Sequence, residues 1–186
     1  GDNIIFGTRS WIVRVGNGHA PEHLTLWCED EPIVIAGDQI ISSISPNLGV
    51  YATEPDADPV QEWLTSCEAF LPFSNDKQLV LPGHKLPFYG LPHRLKQLIE
   101  NHHSALKRLV AFLKEPQTAV DCFPVLFNRK ISDNEYGLAL VEAVAHLNHL
   151  YRKKINSRFY RMKYQFPNIY NFLYTSNITE TKLKLY

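Results

Sequence analysis

The chain has few cysteines: Cys28, Cys67 and Cys122 are the only three in 186 residues. The number is odd, the spacings are wide and no CxxC occurs, which argues against both a disulfide framework and a zinc knuckle. A reducing cytoplasm is the expected compartment. No apolar run approaches the roughly 20 residues that a membrane span needs, and no secretory signal opens the chain. Internal repeats are absent. So are a serine nucleophile elbow and a phosphate-cradling glycine loop, which removes two common kinds of enzyme site.

What is present is ordinary for a soluble globular protein, with 45% apolar and 20% charged residues. The length suffices for one good core, or for one domain with a small appendage. Net charge is zero but unevenly spread. From Tyr151 onward eight lysines and arginines stand against the single acid Glu180. A basic end of this kind suits nucleic acid or a membrane surface, although such ends are more often simply solvated.

Hydrophobic patterning divides the chain into two parts. Trp11-Ile12-Val13-Arg14-Val15 and His23 to Cys28 read as strands, and Ile33 to Ala36 as a strand buried on both faces. A loop over Ser42 to Asn47 and a short strand at Gly49-Val50-Tyr51 are expected next. The acidic stretch Glu54 to Pro59 offers Asp58 as N-cap and Pro59 as first helical residue. The helix that follows carries Val60, Trp63, Leu64, Cys67 and Leu71 on one face, with the free thiol of Cys67 read as core. Gln78 to Leu81 is another short strand. From Pro92 to Leu113 a long helix aligns Leu95, Leu98, Ile99, His102, Leu106, Leu109 and Leu113. A short helix over Thr118 to Phe127 is expected next, and then a helix capped by Asp133 or Asn134. The stripe of that last helix is Tyr136, Leu140, Val144, Leu147 and Tyr151. A small hairpin is expected from Ile155 to Arg161, and an irregular end past Pro167.

Three residues stand at strand-end loops beside glycine: His19 after Gly18, Asp38 after Gly37, and His84 after Gly83. Two imidazoles and a carboxylate suit a borderline metal such as zinc, manganese or iron, and loops at strand ends are where a rigid scaffold can hold such ligands. An isolated loop histidine or aspartate is usually no ligand; the order and context of these three distinguish them. His102 lies on an apolar stripe and reads as a core or interface histidine. The acids Glu54, Asp56 and Asp58 read as loop and cap.

Gly18-His19-Ala20-Pro21-Glu22-His23, Ala36-Gly37-Asp38 and Leu81-Pro82-Gly83-His84 resemble three successive metal-binding motifs of the metallo-β-lactamase superfamily, in that family's order. The likeness runs from about Trp11 to Tyr151. It is nearest to bacterial metallo-hydrolases that are similar to glyoxalase II and carry a C-terminal winged-helix-like segment. Ser45-Pro46-Asn47 and Glu54 to Pro59 add to it.

The resemblance implies an α/β fold: the second half of an αββα sandwich over residues 1–90, a helical winged-helix-like domain over 91–166, and an irregular tail over 167–186. It implies that His19 serves a first metal, Asp38 bridges two, His84 serves the second, and His23 supports the loop. It also implies hydrolysis of an ester, thioester or lactone-like carbonyl. One departure matters. The HxHxDH signature, which lies upstream of the His19 motif in that pattern, has no counterpart among the eighteen residues before His19. The chain therefore reads as the C-terminal part of such an enzyme, weakly active or inactive, binding metal partly or not at all. Apolar surfaces left bare should make it a homo-oligomer. The alternatives are a non-catalytic, oligomerising interaction module and an RNA-processing nuclease.

Overall fold

The computed structural model describes residues 1–115 and 117–153, together with the strand backbones of Tyr160–Arg161 and Phe172–Tyr174. It divides into two units: Gly1–Leu48 with Pro59–Asn101, and Gly49–Asp58 with His102–Tyr186.

The first unit is built on a five-stranded sheet of strands β1 (Asn3–Phe6), β2 (Arg9–Gly16), β3 (His23–Cys28), β4 (Ile33–Gly37) and β5 (Leu79–Pro82), in that spatial order. The first three pairings are antiparallel and β4 runs parallel to β5. The antiparallel strands need only short turns. Gly7, at φ +65°, supplies the left-handed residue between β1 and β2. Parallel β5 needs a long crossover, and the segment after Asp38 with helix α1 (Pro59–Phe70) provides it.

Alternation assigns the sheet's two faces. Thr25, Trp27, Val34, Ala36 and Val80 point to one side and are buried. Helix α1 covers that side, with the rings of Phe70 and Trp27 5.7 Å apart. Val13, Val15, Leu24, Leu26, Ile33 and Ile35 point to the other side. None of these six is buried, and Leu24 is 58% exposed. β1, the free-standing edge, exposes Ile5 by 82% and Phe6 by 68%. The β5 edge is partly closed by Phe88, whose backbone exchanges two hydrogen bonds with Val80.

Helix α1 starts at Pro59, as the proline and its preceding acid suggest, and ends where Pro72 forces a short 3-10 turn over Leu71–Phe73. Cys67 is fully buried, and burial pushes its thiol pKa far up. Helix α2 (Leu91–Phe112) contributes its first part to one unit and its remainder to the other. Its expected stripe is buried at Leu95, Leu98, His102, Leu106 and Leu109.

The second unit departs from the sequence reading in several places. Gly49-Val50-Tyr51 is no strand; the Val50 amide instead donates to the carbonyl of Val141 at 3.1 Å. The helix expected from Thr118 shrinks to α3 (Phe123–Phe127), because Gln117–Thr118 forms a strand, β6. Pro124 sits in the first turn, where its missing N–H matters least, and Asn128 ends the helix at φ +52°. Helix α4 (Tyr136–Arg152) follows a 3-10 turn opened by Ser132 rather than by Asp133 or Asn134. The Glu135 carboxylate accepts from the Ser132 hydroxyl at 2.6 Å, and Arg129 helps to hold its pKa down at about 2.

The buried residues of α4 are Ala139 and all eight from Ala143 to Leu150, while Tyr136 and Tyr151 are exposed. A helix buried on most sides shows no single stripe. Strands β7 (Tyr160–Arg161) and β8 (Phe172–Tyr174) pair antiparallel, and β8 also pairs with β6. Of the expected hairpin, Ile155 to Phe159 lie outside the described residues. So does most of the stretch past Pro167, although Phe172–Tyr174 within it is strand. No winged-helix arrangement is established by the described residues. None of their helices is long and apolar enough to cross a membrane.

Candidate metal centre

Asp38 follows β4 and His84 lies two residues past β5, at the C-terminal ends of two adjacent parallel strands. The ladder slips between Ile35 and Gly37, which turns the chain just before Asp38. The Gly83 amide then donates to the Gly37 carbonyl at 2.8 Å, tying the two loops together. A Cβ at Gly83 would stand 2.5 Å from Asp38 Oδ1. Glycine is thus required where the His84 loop crosses the carboxylate.

His19 arrives from the turn after β2. Gly18 adopts φ +102°, and a Cβ there would collide with the Trp63 side chain and stand 2.5 Å from the Pro59 carbonyl. The turn thereby presses against α1. His19 Nδ1 lies 2.9 Å from the Asn47 carbonyl, an acceptor, so Nδ1 carries the proton and donates.

The three residues singled out by sequence meet around one carboxylate. His84 Nδ1 stands 2.5 Å from Asp38 Oδ1, and His19 Nε2 stands 3.7 Å from Asp38 Oδ2. Asp38 and His19 are partly buried, whereas His84 is 67% exposed. His23 packs its ring on Gly37, where a Cβ would lie 2.6 Å from Cε1, and its centroid is 6.1 Å from that of His19. His23 Nδ1 is buried with no hydrogen-bond partner among the described residues. The ring thus lies against the residue that precedes Asp38.

Two supports were not legible in the sequence. The Asn47 carbonyl orients His19 from 28 residues away. Arg94 holds the loop after Asp38, donating from Nε to the Ile41 carbonyl and from an Nη to the Ile44 carbonyl, each at 2.8 Å. An arginine on a helix face carries no sequence mark of such a task.

The donor set suits a zinc-type ion. The bond from His19 Nδ1–H to a backbone carbonyl is the outer support that leaves Nε2 with a lone pair to offer. That lone pair and an Asp38 oxygen are both acceptors, and they face each other across 3.7 Å. Such a gap suits a cation. As the side chains stand, His84 bonds Asp38 directly, and among the described residues no group of three His, Cys, Asp or Glu is set to hold a metal ion. The residues fit one cation by chemistry and tautomer, with a rotation of His84 still required.

Comparison with solved structures gives the architecture a context. A β-lactamase domain protein from Burkholderia ambifaria is 32% identical, with a TM-score of 0.81, over 92% of this chain and 49% of its own. The fold is metallo-β-lactamase-like. A metallo-β-lactamase family protein from Thermus thermophilus is 25% identical with a TM-score of 0.74, over 92% of this chain and 52% of its own. The chain therefore spans about half the length of each. Residues 106–162 match the family described as "Metallo-beta-lactamase-like, C-terminal domain". Comparison with curated proteins found no match.

Proposed function

We propose that this chain supplies part of a metal-dependent hydrolase centre of metallo-β-lactamase type, nearest to the glyoxalase II-like hydrolases. His19, Asp38 and His84 would hold a zinc, manganese or iron ion, and the substrate class is an ester, thioester or lactone-like carbonyl. The observation that carries this reading is His19 Nε2, its other nitrogen tied to Asn47, facing the Asp38 carboxylate that His84 also reaches. A bound divalent ion would lower the pKa of water and polarise the carbonyl oxygen. The chain's own part is to aim two imidazoles and one negative charge at a single point. With three donors the ion should be held weakly, and turnover by this chain alone should be low.

Metal content of the chelator-stripped chain after zinc loading, read by mass spectrometry, tests the assignment. Near-stoichiometric zinc is expected at high micromolar zinc, with a rise in melting temperature. At a hundred-fold excess over Kd the stabilisation should be about 2.7 kcal/mol. His19→Ala and His84→Ala should each abolish both effects. Zinc binding that persists in both variants, or none in the parent chain at millimolar zinc, defeats the proposal.

A second reading, an oligomerising module, is favoured by β1 and the bare sheet face. Ile5 and Phe6 stand out on an edge strand with no outer ladder partner among the described residues, and Val15 and Leu24 are exposed on the bare sheet face toward the other end of β2. Exposed apolar edges of this kind template pairing with another copy. Light scattering should find a dimer or larger species, and Ile5→Lys with Phe6→Lys should shift it to monomer. A monomeric parent chain at high micromolar concentration rules the module out. An RNA-processing role rests on the basic end, most of which lies outside the described residues.

A further inference from the structure

Within the second unit, helix α4 grips the acidic segment that precedes α1. Asn148 Nδ2 donates to the carbonyls of Pro55 and Ala57 at 2.9 and 3.1 Å. The Arg152 guanidinium donates to the Asp56 carbonyl, and His149 Nδ1 lies 3.1 Å from an Asp58 carboxylate oxygen. At the other end of the segment the Val50 amide donates to the Val141 carbonyl. A strap of ten residues, Gly49–Asp58, is thereby fastened to one helix at five points.

The same helix carries a buried imidazole pair. His102 of α2 and His146 of α4 stack with ring centroids 5.4 Å apart, and His102 Nδ1 lies 3.2 Å from His146 Nε2. His146 Nδ1 lies 2.9 Å from the Glu142 carbonyl and must donate to it, so His146 Nε2 is the acceptor and His102 Nδ1 the donor. This bond exists only while His146 is neutral. A proton on Nε2 would set two N–H groups against each other and place a charge in a dry site.

We propose that the His102–His146 pair and the α4-bound strap form an acid-released latch: proton uptake by the pair parts α4 from the His102 turn of α2 and loosens the helix to which residues 49–58 are fastened. Other groups face the pair. His103 and His149 oppose charging of His102, and His149 opposes that of His146. Only the Glu142 carbonyl and the Asp58 carboxylate favour a charge on His146. Burial outweighs them, lowering His102 to about 3 and His146 to about 4 from an ordinary 6.5. The open form, with hydrated imidazoles, binds protons more readily than the closed one. Closure is therefore fully stable above pH 6.5 and weakens as pH falls from there toward 4.

Hydrogen exchange on the whole chain tests the latch. Protection of the Val50, Glu54 and Ala57 amides, corrected for intrinsic exchange, should fall between pH 7.5 and 5.0 by at least about ten-fold per buried imidazole. The Glu29 amide, which extends the β2–β3 ladder by donating to the Ser10 carbonyl, should hold. His102→Gln keeps a donor toward His146 but does not titrate, so it should cut the acid-induced fall by about ten-fold. Asn148→Ala should loosen the strap already at pH 7.5. Unchanged protection in the parent chain, an equal fall in the β2–β3 ladder, or an undiminished fall in His102→Gln overturns the proposal. If His102→Gln does not fold, proton resonances of the parent chain decide. Two imidazoles should show no titration above pH 5, and titration of every imidazole near 6.5 is equally fatal to the latch.

Discussion

Joined to an upstream segment bearing the HxHxDH signature, the chain is expected to become a hydrolase. Turnover of p-nitrophenyl acetate or a simple thioester should rise by about a thousand-fold or more over the chain alone. The reasoning starts from how little the site has by itself. His19, Asp38 and His84 meet at one point, but His84 is 67% exposed and spends its Nδ1 on Asp38. A metal centre gains most of its power from a complete donor set in a pocket that excludes water. Three donors at an open edge provide neither. The half-bare sheet face at Val15, Leu24 and Leu26 gives an added half an apolar surface to pack on. Asp38→Asn and His84→Ala in the hybrid should each remove at least about a hundred-fold of the gain. A hybrid that folds, binds metal and is no faster than the separate chain would show that these residues do not complete a hydrolytic centre. Full activity in both variants would show that the chemistry lies elsewhere.

Legibility in the sequence followed the range of the interactions. Ile33 to Ala36 is an unbroken apolar run and Leu79 to Pro82 nearly one, so the strands that deliver Asp38 and His84 could be placed from local pattern. The glycines before all three candidate ligands are explained by close approaches, of which Gly18 to Trp63 and Gly83 to Asp38 are the tightest. What was not legible is long-range. Asn47 to His19, Arg94 to Ile41 and His149 to Asp58 join residues 28, 53 and 91 positions apart. The Tyr136 to Tyr151 stripe holds at Val144 and Leu147 but not at its exposed tyrosine ends, and α4 is buried on most sides from Ala143 to Leu150, where its small and polar residues lie inside with the leucines. The apolar stripe of α2 places His102 in the core, but a buried partner on another helix has no signature in either helix alone.

Trp63→Ala is expected to be the most damaging single substitution. Trp63 is fully buried in α1 against the Gly18 turn that presents His19, and its Nε1–H donates to the Gln39 carbonyl at 3.2 Å. One side chain thus backs the loops of two candidate ligands, His19 and Asp38. Removing an indole of this kind typically costs about 3–5 kcal/mol through lost transfer energy and an unfilled cavity. For a chain of this size that lowers the melting temperature by about 10 °C. Trp63→Phe separates the two duties, since it retains most of the ring's packing and loses the bond to Gln39. It should cost about 1–2 kcal/mol, less than the alanine variant, because only one donor and part of the volume are gone. Its zinc affinity should nevertheless drop several-fold, since the Gln39 carbonyl beside Asp38 is released. Urea unfolding with zinc titration on both variants reads the two effects apart. If Trp63→Phe loses stability but keeps the parent's zinc affinity, the indole is a core residue only, and the Asp38 loop is held by Arg94 and Gly83 instead.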